Sequence, residues 1–85
     1  MLTDIFDATS QELYEAKGSA SRPNVRLALG QLLDYKRHIP VATMEISVLL
    51  PHKPAPDLVA LLLENSVNCV WETDVPGQFG RVSHH

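Results

Sequence analysis

Residues 1–7 and 12–18 each mix apolar with polar side chains, without strict alternation, and flank a polar stretch, Ala8-Thr9-Ser10-Gln11. That pattern predicts two short strands joined as a hairpin. The turn contains neither Asn-Gly nor Asp-Gly, so its type stays open. Residues 18–21 (Gly-Ser-Ala-Ser) break the second strand. Ser21 is a candidate N-cap, and Pro23 falls in a first helical turn, where a missing N–H costs nothing. Val25, Leu29, Leu32 and Lys36 then recur at helical spacing, with Ala28 and Leu33 beside them, predicting a helix of about 15 residues that ends before Pro40. Gly30 within it costs up to about 1 kcal/mol relative to alanine, which suggests a close packing contact.

Residues 43–50 form an apolar strand stopped by Pro51, and the Pro-rich stretch 51–56 is a rigid connection. Asp57 is a candidate cap for a second helix over 58–65, whose Leu and Val content predicts nearly all-round burial. Residues 66–72 read as a strand in which Trp71 and Cys69 alternate with Val67, a pattern suited to packing. Residues 79–82 read as a short final strand after the turn at Pro76-Gly77. The predicted order is β-β-α-β-α-β-(β), an α/β fold whose mixed sheet carries two helices, with right-handed crossovers. Residues 1–82 make one domain. Ser83-His84-His85 resembles the start of a purification tag and is left out of any metal argument.

Composition narrows the class. Eighty-five residues and 9.4 kDa hold a single domain with a small core, burying about 60–65% of the surface that the unfolded chain exposes. With 45% hydrophobic and 20% charged residues the chain is that of a folded globule. Cys69 is the only cysteine, so an internal disulfide and a cysteine-based zinc cage are both excluded. A lone thiol points to a reducing, cytoplasmic compartment. No apolar run approaches the roughly 20 residues of a membrane span, and no signal peptide opens the chain.

The net charge of −3 argues against an indiscriminate nucleic-acid coat, yet it is unevenly spread. Between residues 17 and 38, Lys17, Arg22, Arg26, Lys36 and Arg37 face the single acid Asp34, a net +4 against −7 elsewhere. Such a cluster suits a polyanion, and equally an ordinary solvated helix face. His38 and His52 lack metal-ligand spacing and read as surface residues.

The hairpin carries the candidate chemistry. If the chain turns at Thr9-Ser10, paired residues have numbers summing to 19, so Asp4 opposes Glu15 and Leu2 opposes Lys17. Alternation puts Glu15 and Lys17 on one face, and Asp4 would share it, its carboxylate near that of Glu15. A hard divalent cation such as Mg²⁺ or Mn²⁺ relieves that repulsion, with the Ala16 carbonyl as a third oxygen ligand. Lys17 could orient a water or stabilise charge on a phosphate. The same residues also make a solvated sheet face with a local salt bridge. Asp7 lies too close to the turn to replace Asp4 and reads as a turn residue.

Asp4, ten intervening residues, then Glu15-Ala16-Lys17 resembles the D…(D/E)-x-K signature of the PD-(D/E)xK nuclease superfamily, of restriction-endonuclease-like fold. Gln31-Leu32-Leu33-Asp34-Tyr35 resembles the Q-x-x-x-Y motif of its RecB-like branch, with Gln31 and Tyr35 one helical turn apart. The likeness covers about residues 2–50. It implies Mg²⁺-dependent DNA hydrolysis with Asp4 and Glu15 as metal ligands, Lys17 as catalytic lysine and Gln31 and Tyr35 in support. Arg22, Arg26, Lys36 and Arg37 would contact the DNA backbone. The family core starts with a helix and a strand that this chain lacks, so the resemblance implies a fragment of a larger protein, or a sheet completed by a second copy or another domain. A catalytically inert DNA-binding or dimerisation module of the same fold is the alternative.

Overall fold

The computed structural model describes residues 3–7 (as backbone), 11–38 and 44–85. Its elements are β1 (Thr3–Asp7), β2 (Glu12–Ala16), α1 (Arg22–Lys36), β3 (Glu45–Leu50), α2 (Pro56–Glu64), β4 (Asn68–Glu72) and β5 (Phe79–Val82). The expected α/β order is the observed one. The strands form one mixed sheet in the order β1-β2-β3-β4-β5. The two outer pairs are antiparallel, while β2, β3 and β4 run parallel, each joined to the next through a helix.

Both helices cover the same face. Leu13, Ile46, Val48, Leu50 and Cys69 alternate along the inner strands and pack with Val25, Ala28, Leu29 and Leu32 of α1 and Leu58, Val59 and Leu62 of α2. Trp71 and Val82 are half-buried at the border of this core, and Lys53 Nζ lies 5.1 Å from the Trp71 ring centroid. Burial pushes the Cys69 thiol up to about 11. Among the described residues no helix covers the opposite face. Glu12, Tyr14, Ser47, Leu49, Asn68, Val70, Phe79 and Arg81 alternate onto it. Tyr14, Leu49, Val70, Phe79 and Arg81 line a shallow cavity of about 330 Å³ there.

Three local expectations need correction. The α2 N-cap is Ala55, because Pro56 takes the first helical position and moves Asp57 into the first turn. Asp57 instead pairs with Arg22 and ties the starts of the two helices together; that partner holds its carboxyl below the usual range. Burial of α2 is one-sided, since a two-layer fold leaves its outer surface, including Ala60 and Glu64, in solvent. Gly30 is exposed, and a Cβ there would meet nothing within 4 Å, so no packing contact demands it. Ser21 does occupy the α1 N-cap, without a capping side-chain hydrogen bond. His38 and His52 are exposed. The turn residues 8–10, the proposed Leu2–Lys17 pairing, the segment 39–43 with Pro40, and the side chain of Asp4 lie outside the described residues.

Candidate functional site

The β1–β2 register pairs Asp4 with Glu15, Ile5 with Tyr14 and Asp7 with Glu12. These are the pairs a turn at Thr9-Ser10 requires. Asp7 stands at the turn end of its strand, three positions from Asp4. On β2, Leu13 belongs to the core, so period-two alternation puts Glu15 and Lys17 on the same helix-covered face. Glu15 is only 3% exposed, with Val48 of β3 beside it in register. Lys17 Nζ lies 3.6 Å from Glu15 Oε2, its side chain 11% exposed. The Lys17 N–H donates to the Leu49 carbonyl at 3.1 Å, which fixes the strand end that presents it. The lysine and its acid are therefore together, held where the sheet meets α1.

On α1, Gln31 sits between the buried Ala28 and Leu32, and its Oε1 is enclosed with no hydrogen-bond partner. A buried carbonyl oxygen left so is unusual and suits an additional donor. Tyr35, one turn on, is half exposed, and among the described residues no hydrogen bond joins it to the carboxylates. Of the four basic residues expected to face a phosphate backbone, Arg22 pairs with Asp57 and Arg37 donates to Asp34 at 2.9 Å. Arg26 and Lys36 are exposed without an acidic partner among the described residues.

A second polar assembly lies on the uncovered face. Glu12, 5% exposed, accepts from Tyr14 Oη at 2.8 Å, from Ser47 Oγ, and from both terminal nitrogens of Arg81 at 3.2 and 2.7 Å. Burial pushes its carboxyl up, but the hydrogen bonds from Arg81, Ser47 and Tyr14 outweigh this and hold it below the ordinary value of 4.5. Tyr14 is raised by burial and by donating to that carboxylate. Asn68, fully buried, donates to Ser47 Oγ at 3.2 Å and to Glu45 Oε1 at 3.1 Å. His84 Nε2 and His85 Nε2 lie 3.2 and 2.8 Å from the same Glu45 oxygen. These donor atoms and the Glu45 carboxylate fall within 4.8 Å of one another.

The sequence pattern does not predict this assembly, and the tag-like ending leaves His84 and His85 outside the expected metal donors. One signal was available: Glu45 and Ser47 are polar positions two apart in an otherwise apolar strand, and Asn68 opens the next apolar strand. No protein-family model, curated protein or solved structure matches the chain.

Proposed function

We propose that this domain hydrolyses DNA phosphodiester bonds with a Mg²⁺ or Mn²⁺ ion, as a module of the restriction-endonuclease-like PD-(D/E)xK type. The observation that carries the reading is the strand register opposing Asp4 to Glu15, with Lys17 next to that acid at the end of β2. Two carboxylates from paired strands are a hard-oxygen donor set, which fits Mg²⁺ and leaves its other positions to water and phosphate. The ion, when bound, supplies Lewis-acid charge and an acidified water. Asp4 and Glu15 would hold it, with the Ala16 carbonyl as a third ligand. Lys17 would stabilise the charge growing on the phosphate oxygens. The enclosed Gln31 Oε1 offers an acceptor that could orient a water, while Tyr35 and the exposed Arg26 and Lys36 would bind the backbone phosphates, with Arg22 and Arg37 beside them. A second copy or another domain could pair with β1, an edge strand of the sheet.

One observation favours the inert alternative: Glu15 is nearly sealed from solvent and already faces the lysine. A supercoiled-plasmid assay in Mg²⁺ or Mn²⁺ separates the two. Hydrolysis should fall at least about 100-fold in Lys17→Ala and in Asp4→Asn. Undiminished cleavage in both variants would refute the assignment. DNA binding that weakens steeply with salt, persists in Asp4→Asn and Glu15→Gln and never yields cut product would establish the binding module instead. Among the described residues no helix is long and apolar enough to cross a membrane.

A further inference from the structure

We propose that Glu45, His84 and His85 form a binding site for a transition-metal dication of the Zn²⁺ class, which clamps the segment after β5 to the start of β3. The site is assembled by the sheet. Glu45 opens β3 and Asn68 opens β4, on the uncovered face, with Ser47 and Asn68 paired in register. The chain leaving β5 returns over this end, where the His84 N–H donates to Asn68 Oδ1 at 3.0 Å. That contact delivers both imidazoles to Glu45 Oε1, at 3.2 and 2.8 Å. Metal bonds of about 2.0–2.1 Å in a tetrahedron leave neighbouring ligand atoms roughly 3.3 Å apart. The two carboxylate–imidazole separations are near this and the two imidazoles lie within 4.8 Å of each other, so rotations of the side chains would admit an ion.

Two imidazoles with one carboxylate select Zn²⁺, Co²⁺, Ni²⁺ or Cu²⁺ over Mg²⁺ or Ca²⁺, and three protein ligands leave a position for water. A second observation separates this cluster from a chance pair of adjacent histidines. Asn68 is fully buried, and its amide reaches the carboxylate ligand and a histidine backbone at once. Ser47 anchors the same amide and passes the hydrogen-bond chain on to Glu12 and Arg81. Buried partners that fix a ligand's orientation are what a built metal site has and a mobile histidine pair lacks. Glu45 and His84 are half-buried and His85 is exposed, so the ion has a route in from solvent.

Calorimetric titration of the 85-residue chain with ZnCl₂ in metal-free buffer tests this. In Asp4→Asn, which lacks the proposed Mg²⁺ ligand on β1, one equivalent should bind, and the thermal midpoint should rise with Zn²⁺ but not with Mg²⁺. Glu45→Gln should keep the amide contact, and so the fold by circular dichroism, yet weaken Zn²⁺ at least about tenfold. His84→Ala should do the same, and Asn68→Ala, acting only as a positioning residue, should cost roughly 10–100-fold while Zn²⁺ restores its lost protease resistance. Wild-type affinity in folded Glu45→Gln would overturn the proposal, leaving the histidine pair as the sole chelator; so would absence of Zn²⁺ binding. Asp4→Asn and Glu15→Gln should bind Zn²⁺ normally, so this result and the DNA-cleavage result stand or fall separately.

Discussion

Replacing Glu12 is the most searching test of how the sheet is held. Glu12 lies on β2 and its partner Arg81 on β5, with two strands between them. At about 4.8 Å per strand their strands would stand roughly 14 Å apart on a flat sheet, and the pairings set Arg81 level with Ala16 rather than Glu12, which separates them further. Both side chains must therefore extend, and the sheet must curl towards its uncovered face. Glu12→Ala removes the acceptor of Tyr14, of the fully buried Ser47 hydroxyl and of Arg81. The stranded Ser47 donor costs about 1–3 kcal/mol. Arg81, 37% exposed at its side chain, can rehydrate, so the ion pair itself adds only about 1 kcal/mol. The sum, about 2–4 kcal/mol, is a large part of the roughly 4–13 kcal/mol typical of a domain this size. It should lower the melting midpoint by about 10–25 °C. Urea unfolding followed by Trp71 fluorescence measures it. The carboxyl is depressed in the fold, so its contribution is complete above the ordinary value of 4.5 and is lost as pH falls through the folded value. The gap between wild type and Glu12→Gln, an isostere of the protonated acid, should accordingly close on acidification. Refutation would be Glu12→Ala within about 0.5 kcal/mol of wild type at pH 7, or a Glu12→Gln gap unchanged by acid.

Two glycines should respond with opposite signs. Gly80 pairs with Trp71 across β4 and β5, and a Cβ there would come within 2.2 Å of the indole ring, so Gly80→Ala should cost about 1–3 kcal/mol and shift the Trp71 emission. Gly30 lies exposed in mid-helix with open space around it, so Gly30→Ala should raise stability by about 0.5–1 kcal/mol, seen as a higher urea midpoint with an unchanged slope.

What the chain discloses before folding follows the range of the interaction. The Asp4–Glu15 register is legible because a short turn and period-two alternation constrain the same few residues. Helix α1 is bounded by local chemistry, Ser21 and Pro23 at one end, and its length is as expected. Asp57 fails as a cap for an equally local reason, since Pro56 claims the position before it. The one-sided burial of α2 is not legible, because Ala60 looks as buryable as Val59 until it is known that the core lies on one side of the helix, with Leu61 and Leu63 only partly buried at its border. Least legible are contacts that close late. Glu12 meets Arg81 69 residues on, and Glu45 meets His84 39 residues on, each through a curl of the sheet that no local pattern encodes.

The two candidate sites stand at opposite ends of the parallel strands as well as on opposite faces. Glu12, Glu45 and Asn68 are the first residues of β2, β3 and β4, whereas Glu15 and Lys17 lie at the carboxyl end of β2, just before the turn into α1. Ligands of α/β sheets gather beyond the carboxyl ends of the strands, where connecting loops can vary without disturbing the sheet. The Glu15–Lys17 end has that freedom, with residues 17–21 leading to the basic start of α1. The opposite end does not: the buried Asn68 and Ser47 are locked into a continuous hydrogen-bond chain, so an ion held by Glu45 and the two histidines would act on the fold rather than on a substrate. Zn²⁺ should then slow amide exchange in β4 and β5, while a phosphodiester bound at the other end should leave those amides as they are.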